Sequence, residues 1–96
     1  MNPKYKSDDT IYYYLDTFEI VIKTKVKTHF GGFYWLEDQR VDRVVPEIEL
    51  FDNKEDCIKK AISWNDAIIK GYKSEINHIV RINKKLEEQL KTDIDF

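Results

Sequence analysis

Ninety-six residues, 42% hydrophobic and 35% charged, suffice for one domain with a modest core and exclude a second domain or a core wrapped around a deep cleft. The 18 acidic and 16 basic side chains leave a formal net charge of -2, which argues against a chain whose main task is gripping phosphate backbones. The lone cysteine, Cys57, excludes an internal disulfide and a cysteine metal cage within one chain, and it fits a reducing compartment.

In chain order, Met1 to Asp9 is polar, contains Pro3, and reads as a loose lead-in with no apolar signal core behind it. Thr10 to Leu15 holds the β-formers Ile11, Tyr12, Tyr13 and Tyr14. From Phe18 to Thr28, Ile20, Ile22, Thr24 and Val26 alternate with Glu19, Val21, Lys23, Lys25 and Lys27, the signature of a half-buried strand. A two-residue Asp16-Thr17 turn would set Leu15 opposite Phe18, Tyr13 opposite Ile20 and Ile11 opposite Ile22; lacking glycine, the connection fits a slightly longer loop equally well. Gly31-Gly32 predicts a turn, followed by a short aromatic strand from Phe33 to Leu36. Arg40 to Val45 reads as another strand, and Pro46 to Asp52, with Ile48 and Leu50 at strand spacing, as a last one closing the sheet. The spacing predicts a small antiparallel β-meander or SH3-like barrel over residues 10–52.

A single long amphipathic C-terminal helix is expected over residues 53–91, making the whole an α+β fold in one domain, 1–96. Asp52 and Glu55 have the spacing of a capping box. Beyond them Ile58, Ile62, Asn65, Ile69, Tyr72, Ile76, Ile79, Asn83, Leu86 and Leu90 recur at steps of four and three, the seam of a coiled coil. The seam keeps phase across Gly71, and a helix of that length would run roughly 57 Å at about 1.5 Å per residue, longer than the domain is wide. The first half is expected to cover the sheet, with Trp64 packing sideways on it, and the second to pair with another copy through Tyr72, Ile76, Ile79, Asn83, Leu86 and Leu90. A helix that folds back is the alternative. Asn83 as a buried seam amide would fix register at a cost in stability, so Asn83→Leu is expected to raise stability and loosen the oligomer.

Little in the chain points to chemistry. His29 and His78 lack a second ligand at metal spacing. The adjacent carboxylates Asp8-Asp9, Glu37-Asp38 and Glu87-Glu88 read as solvated pairs, and Cys57 reads as a packing residue. No catalytic residue, cofactor or metal is expected. The one functional pattern is the stripe Lys23, Lys25 and Lys27, which period-two geometry puts on one strand face. With Tyr12, Tyr14 and Tyr34 exposed beside it, the stripe would form a platform of rings and cations for single-stranded nucleic acid or another partner. Its plain alternative is lysine protection of an edge strand.

The run Ile11-Tyr12-Tyr13-Tyr14, the basic second strand ending at Val26, and Pro46-Glu47-Ile48-Glu49-Leu50-Phe51-Asp52 leading into a charged helix together resemble small uncharacterised proteins of phages and mobile elements, with an SH3-like barrel and a coiled-coil helix. That resemblance implies no catalytic residues. It implies a compact interaction module that modulates or inhibits a host machine such as a defence nuclease. Together with the seam and the lack of an apolar signal core, the leading expectation is a cytoplasmic, non-enzymatic protein-binding module, homodimeric through the seam and acting on a larger partner. The runner-up is a nucleic-acid-binding accessory protein, and no membrane partner is expected.

Overall fold

The structure, a computed structural model, describes residues 3–71, 76–92 and 95, with Ile76 described by its backbone alone. Strands β1 (Thr10–Leu15), β2 (Ile20–Phe30), β3 (Phe33–Leu36), β4 (Val45–Pro46) and β5 (Leu50–Phe51) precede helices α1 (Lys54–Gly71) and α2 (Ile76–Lys91). The strands form one curled antiparallel sheet in the order β4-β3-β2-β1-β5. The fold is therefore α+β, a half-barrel with two helices.

The sheet buries both faces at β1, so the polarity of that strand follows its packing. Ile11, Tyr13 and Leu15 point into the curl, with Ile22, Val26, Tyr34, Leu36, Val45 and Leu50. Tyr12 and Tyr14 point the other way, half-buried against a second core of Val21, Cys57, Ile58, Ala61, Ile79, Ile82 and Leu86 beneath the helices. Each fully buried aliphatic side chain contributes about 1.5–3 kcal/mol. The β1–β2 register is displaced by two residues from the tight-turn expectation: Leu15 faces Ile20, Tyr13 faces Ile22 and Ile11 faces Thr24. Residues 16–19 form the longer loop, and Glu19 takes a left-handed φ of 60° to close it. An even displacement leaves every side chain on its expected face.

The lead-in is not loose. Tyr5 is buried, its ring edge-on to Tyr34 at 5.7 Å. Its N–H donates to the Tyr34 hydroxyl at 3.3 Å and its own hydroxyl donates to the Leu50 carbonyl at 3.3 Å. Tyr5 thus ties β3 to β5 across the open side of the curl. Asp8 N–H donates to the Val26 carbonyl (2.7 Å) and Val26 N–H to the Asp9 carbonyl (2.9 Å), carrying the β1 ladder backwards. The segment after β3 departs from expectation too: of Arg40 to Asp52 only Val45–Pro46 and Leu50–Phe51 pair as strands. Ile48 lies on a single 3₁₀ turn, Glu47–Glu49, and is 76% exposed. Pro46 is tolerated because β4 is an edge strand that can spare a donor.

Two helices stand where the seam predicted one. The first is capped by Asn53, one residue later than expected: its Oδ1 accepts the Asp56 N–H (2.8 Å) and its amide donates to the Asp56 carboxylate (3.0 Å). The second returns antiparallel, bringing Lys54 Nζ to within 3.0 Å of the Thr92 carbonyl. Trp64 sits edge-on to Phe51 at 6.5 Å, the sideways packing expected of it. Gln89 is buried, accepting the Val21 N–H (3.1 Å) and donating to the Val21 carbonyl (2.7 Å). An amide on α2 therefore pairs the edge of β2 as a neighbouring strand would.

Candidate binding surface

The seam proposed for pairing between copies is largely spent within the chain. Ile79 and Leu86 are buried and Leu90 packs against the same core. Asn83 accepts a hydrogen bond from the Asn65 amide (3.0 Å) and donates to Asp66 (3.1 Å). Tyr72 and the Ile76 side chain lie outside the described residues. The apolar stripe read from the sequence was real, but its partners are α1 and the sheet.

The β2–β3 hairpin presents a different surface. Gly31 and Gly32 have φ of +57° and +84°, both left-handed, as a two-residue type I′ turn requires. The turn sets Phe30 directly opposite Phe33. At the other end of the hairpin Val26 faces Leu36 while Thr28 faces Trp35, so Lys27 is the extra residue of a β-bulge. Strict alternation from Ile20 would have pointed Phe30 into the curl. The bulge resets the phase: His29 and Tyr34 turn inward, rings 6.0 Å apart, while Thr28, Phe30, Phe33 and Trp35 turn outward. Phe30 is 87% exposed, Phe33 48% and Trp35 44%.

Lysines border these rings. Lys23 and Lys25 share the outward face of β2, opposite Tyr12 and Thr10, and Lys27 and Thr28 line a depression of about 550 Å³ with Trp35, Glu37, Asp38 and Gln39. Lys23 reaches Asp95 at 3.6 Å, whereas Lys25 and Lys27 have no ion pair among the described residues. Asp38 is gripped by the Arg40 guanidinium through bonds of 3.0 and 2.7 Å, which holds its carboxyl below the usual range. Lys25 and Lys27 stand where β2 is flanked by residues 8–10 on one side and by Glu37 and β3 on the other, so edge protection does not account for them; Lys23 lies beside the edge that Gln89 meets at Val21.

The expected tyrosines do not belong to this surface. Tyr34 is fully buried and its hydroxyl donates to Glu47 at 2.5 Å; burial and that carboxylate push its pKa upward. Tyr12 and Tyr14 lie half-buried under the helices, and burial raises Tyr14 as well. Of the hairpin rings that reach solvent, Phe33 and Trp35 were signalled by the aromatic run after the glycine pair, where alternation assigns Tyr34 inward and its neighbours outward; Phe30 lies before that pair, and the bulge sets its side.

Cys57 is fully buried and its thiol is pushed up to about 12 by burial, which leaves it without nucleophilic character at neutral pH. Among the described residues no group of three His, Cys, Asp or Glu is placed to hold a metal ion, and no helix is long and apolar enough to cross a membrane. No family model, curated protein or solved structure matches the chain.

Proposed function

We propose that this chain is a non-enzymatic binding module whose working surface is the outward face of the β2–β3 hairpin, and that it modulates a larger partner machine in the cytoplasm. The observation that carries the reading is the exposure of Phe30, Phe33 and Trp35 on one face of a turn-locked hairpin. Grouped exposed aromatics are poorly hydrated and contribute nothing to the two cores, and such rings dominate the energetics of contact surfaces. The resemblance to small phage and mobile-element proteins makes a host machine such as a defence nuclease the first partner to test. A second copy is a further candidate for the same face, since Ile79, Leu86 and Leu90 of the helical seam pack within the chain.

The test is a triple variant, Phe30→Ser, Phe33→Thr and Trp35→Thr, expressed beside the wild-type chain in cells whose defence against incoming DNA is scored by transformation efficiency. Loss of the wild-type effect by a variant that retains its circular dichroism and melting behaviour supports the hairpin. Equal effects from the two chains would remove the face from consideration. A doubled solution mass abolished by the same variant would identify the second copy. A nucleic-acid reading of the same face is favoured by a separate observation: the unpaired Lys25 and Lys27 on a central strand.

A further inference from the structure

We infer that the ligand taken directly by the hairpin face is single-stranded nucleic acid, held by base stacking on Trp35 and Phe33 and by phosphate contacts from Lys25 and Lys27. The inference rests on the reading that this face is the working surface, and it names the ligand's chemistry.

Three features of the face point the same way. Cations and rings interleave on it: the bulge at Lys27 puts Lys27 and Thr28 on the outward side beside Trp35, with Phe33 two residues further along β3. Outward residues two apart on a strand stand about 6.8 Å from one another, room for a flat base on each ring. Lys25 and Lys27 are unpaired among the described residues, and the Asp38 carboxylate, which would otherwise compete for them, is occupied by Arg40. Glu37 opposes them: its N–H is bonded to the Lys25 carbonyl at 2.9 Å, which sets its carboxylate at that end of the face and limits the attraction to modest strength.

The side-chain types separate nucleic acid from protein as the occupant. Protein interfaces are depleted of lysine at their centres and favour arginine, and the basic groups among these rings are lysines. Stacking requires exposed base faces, which a duplex hides in its own stack, so the strand must be single. With no arginine lining the depression and the neighbouring Arg40 engaged by Asp38, bidentate base readout is not provided for and recognition is sequence-tolerant. The overall charge of -2 makes the attraction local, and binding is expected to be modest and salt-sensitive.

The experiment is fluorescence anisotropy of labelled oligothymidylate and oligouridylate of about twelve nucleotides, titrated with the full chain, with a duplex of equal length as comparison. Single strands are expected to bind and the duplex to bind more weakly. Two phosphate contacts at about 0.7 each in log–log slope predict a roughly sevenfold loss of affinity from about 50 to about 200 mM salt. Trp35→Ala is expected to weaken binding by about 5- to 150-fold. Lys25→Gln and Lys27→Gln should each lower the salt slope by about 0.7. In a Trp64→Phe background, quenching of Trp35 on binding reports the stack directly; the wild-type anisotropy stands if that background does not fold. Absence of single-strand binding at low salt, equal binding of the duplex, or binding indifferent to Trp35→Ala would each overturn the inference. If oligonucleotides fail to bind while the triple variant still loses its effect in cells, the ligand is protein and the hairpin reading survives; if neither responds, both fall.

Discussion

Replacing Gln89 tests whether a side-chain amide stands in for a missing strand. The β3 ladder begins only at Val26, and at Val21 the N–H and C=O both point away from β1, as alternate residues of an antiparallel pair must. Gln89 meets them at 3.1 and 2.7 Å from a position only 6% exposed. Gln89→Leu keeps the volume and strands both backbone groups. At about 1–3 kcal/mol for each unsatisfied group, partly offset by the added apolar burial, the loss should be about 2–4 kcal/mol. For a domain of this size that lowers the melting temperature by on the order of 10–30 °C. Urea unfolding followed by circular dichroism should show a lower midpoint with an unchanged slope. Gln89→Glu sharpens the test, because only the protonated acid supplies both a donor and an acceptor. Its folded pKa must then lie above the unfolded value of about 4.3, so the stabilisation is complete below that value and is lost as pH rises through the folded pKa. A Gln89→Leu protein as stable as wild type, with Gln89→Glu indifferent to pH between about 4 and 7, would refute the argument.

Three further outcomes are expected. Asn83→Leu should destabilise the chain by about 1–2 kcal/mol in thermal melts, because it removes a partner from Asn65, which is 5% exposed; a rise in stability would restore the free-seam reading. Gly31→Ala should cost about 1–2 kcal/mol at its φ of +57°, while Gly31→Asn should cost less because Asn-Gly suits a type I′ turn; the reverse ranking by chemical denaturation would rule that turn out. The Tyr34 hydroxyl and the Lys4 N–H hold the Glu47 carboxyl below its usual range. Its stabilisation is therefore present above the unfolded value of about 4.3 and is lost as pH falls through the folded pKa. Glu47→Gln should flatten the acid limb of the urea-midpoint profile, and superimposable limbs would count against the tie.

Local rules carried the sequence reading where local chemistry decides the structure. The alternation of Ile11 to Leu15 and of Ile20 to Val26, the turn at Gly31-Gly32 and a helical seam with a cap near residue 53 all depend on neighbours in the chain. The bulge at Lys27 has no composition signal, and one extra residue there reverses the side on which Phe30 lies. Tyr5 looked like part of a polar tail because its partners, Tyr34 and Leu50, are remote in sequence. The seam from Ile58 to Leu90 announces that a stripe must be covered and is silent on what covers it. Gln89, beside Leu90 on that stripe, is the residue that distinguishes the answers, since a coiled coil has no strand edge for its amide to meet.

The helix clip and the candidate surface share one cause, a mismatch of strand lengths. Strand β2 has 11 residues, against six in β1 and four in β3, so neither neighbour can pair it throughout. Its first half has β1 on one side and, on the other, an edge that Gln89 must occupy, which draws α2 back onto the sheet and consumes the seam. Its second half runs on with β3 as a hairpin whose outward face stays open, and the bulge at Lys27 turns Phe30 toward that face. Ending β2 at Lys25, where its pairing with β1 stops, would remove the hairpin and its open face and leave the Val21 edge still in need of Gln89. The same extended strand therefore binds the helices at one end and, at the other, carries Phe30 and supports β3, so that Phe30, Phe33 and Trp35 stand in solvent where a ligand can reach them.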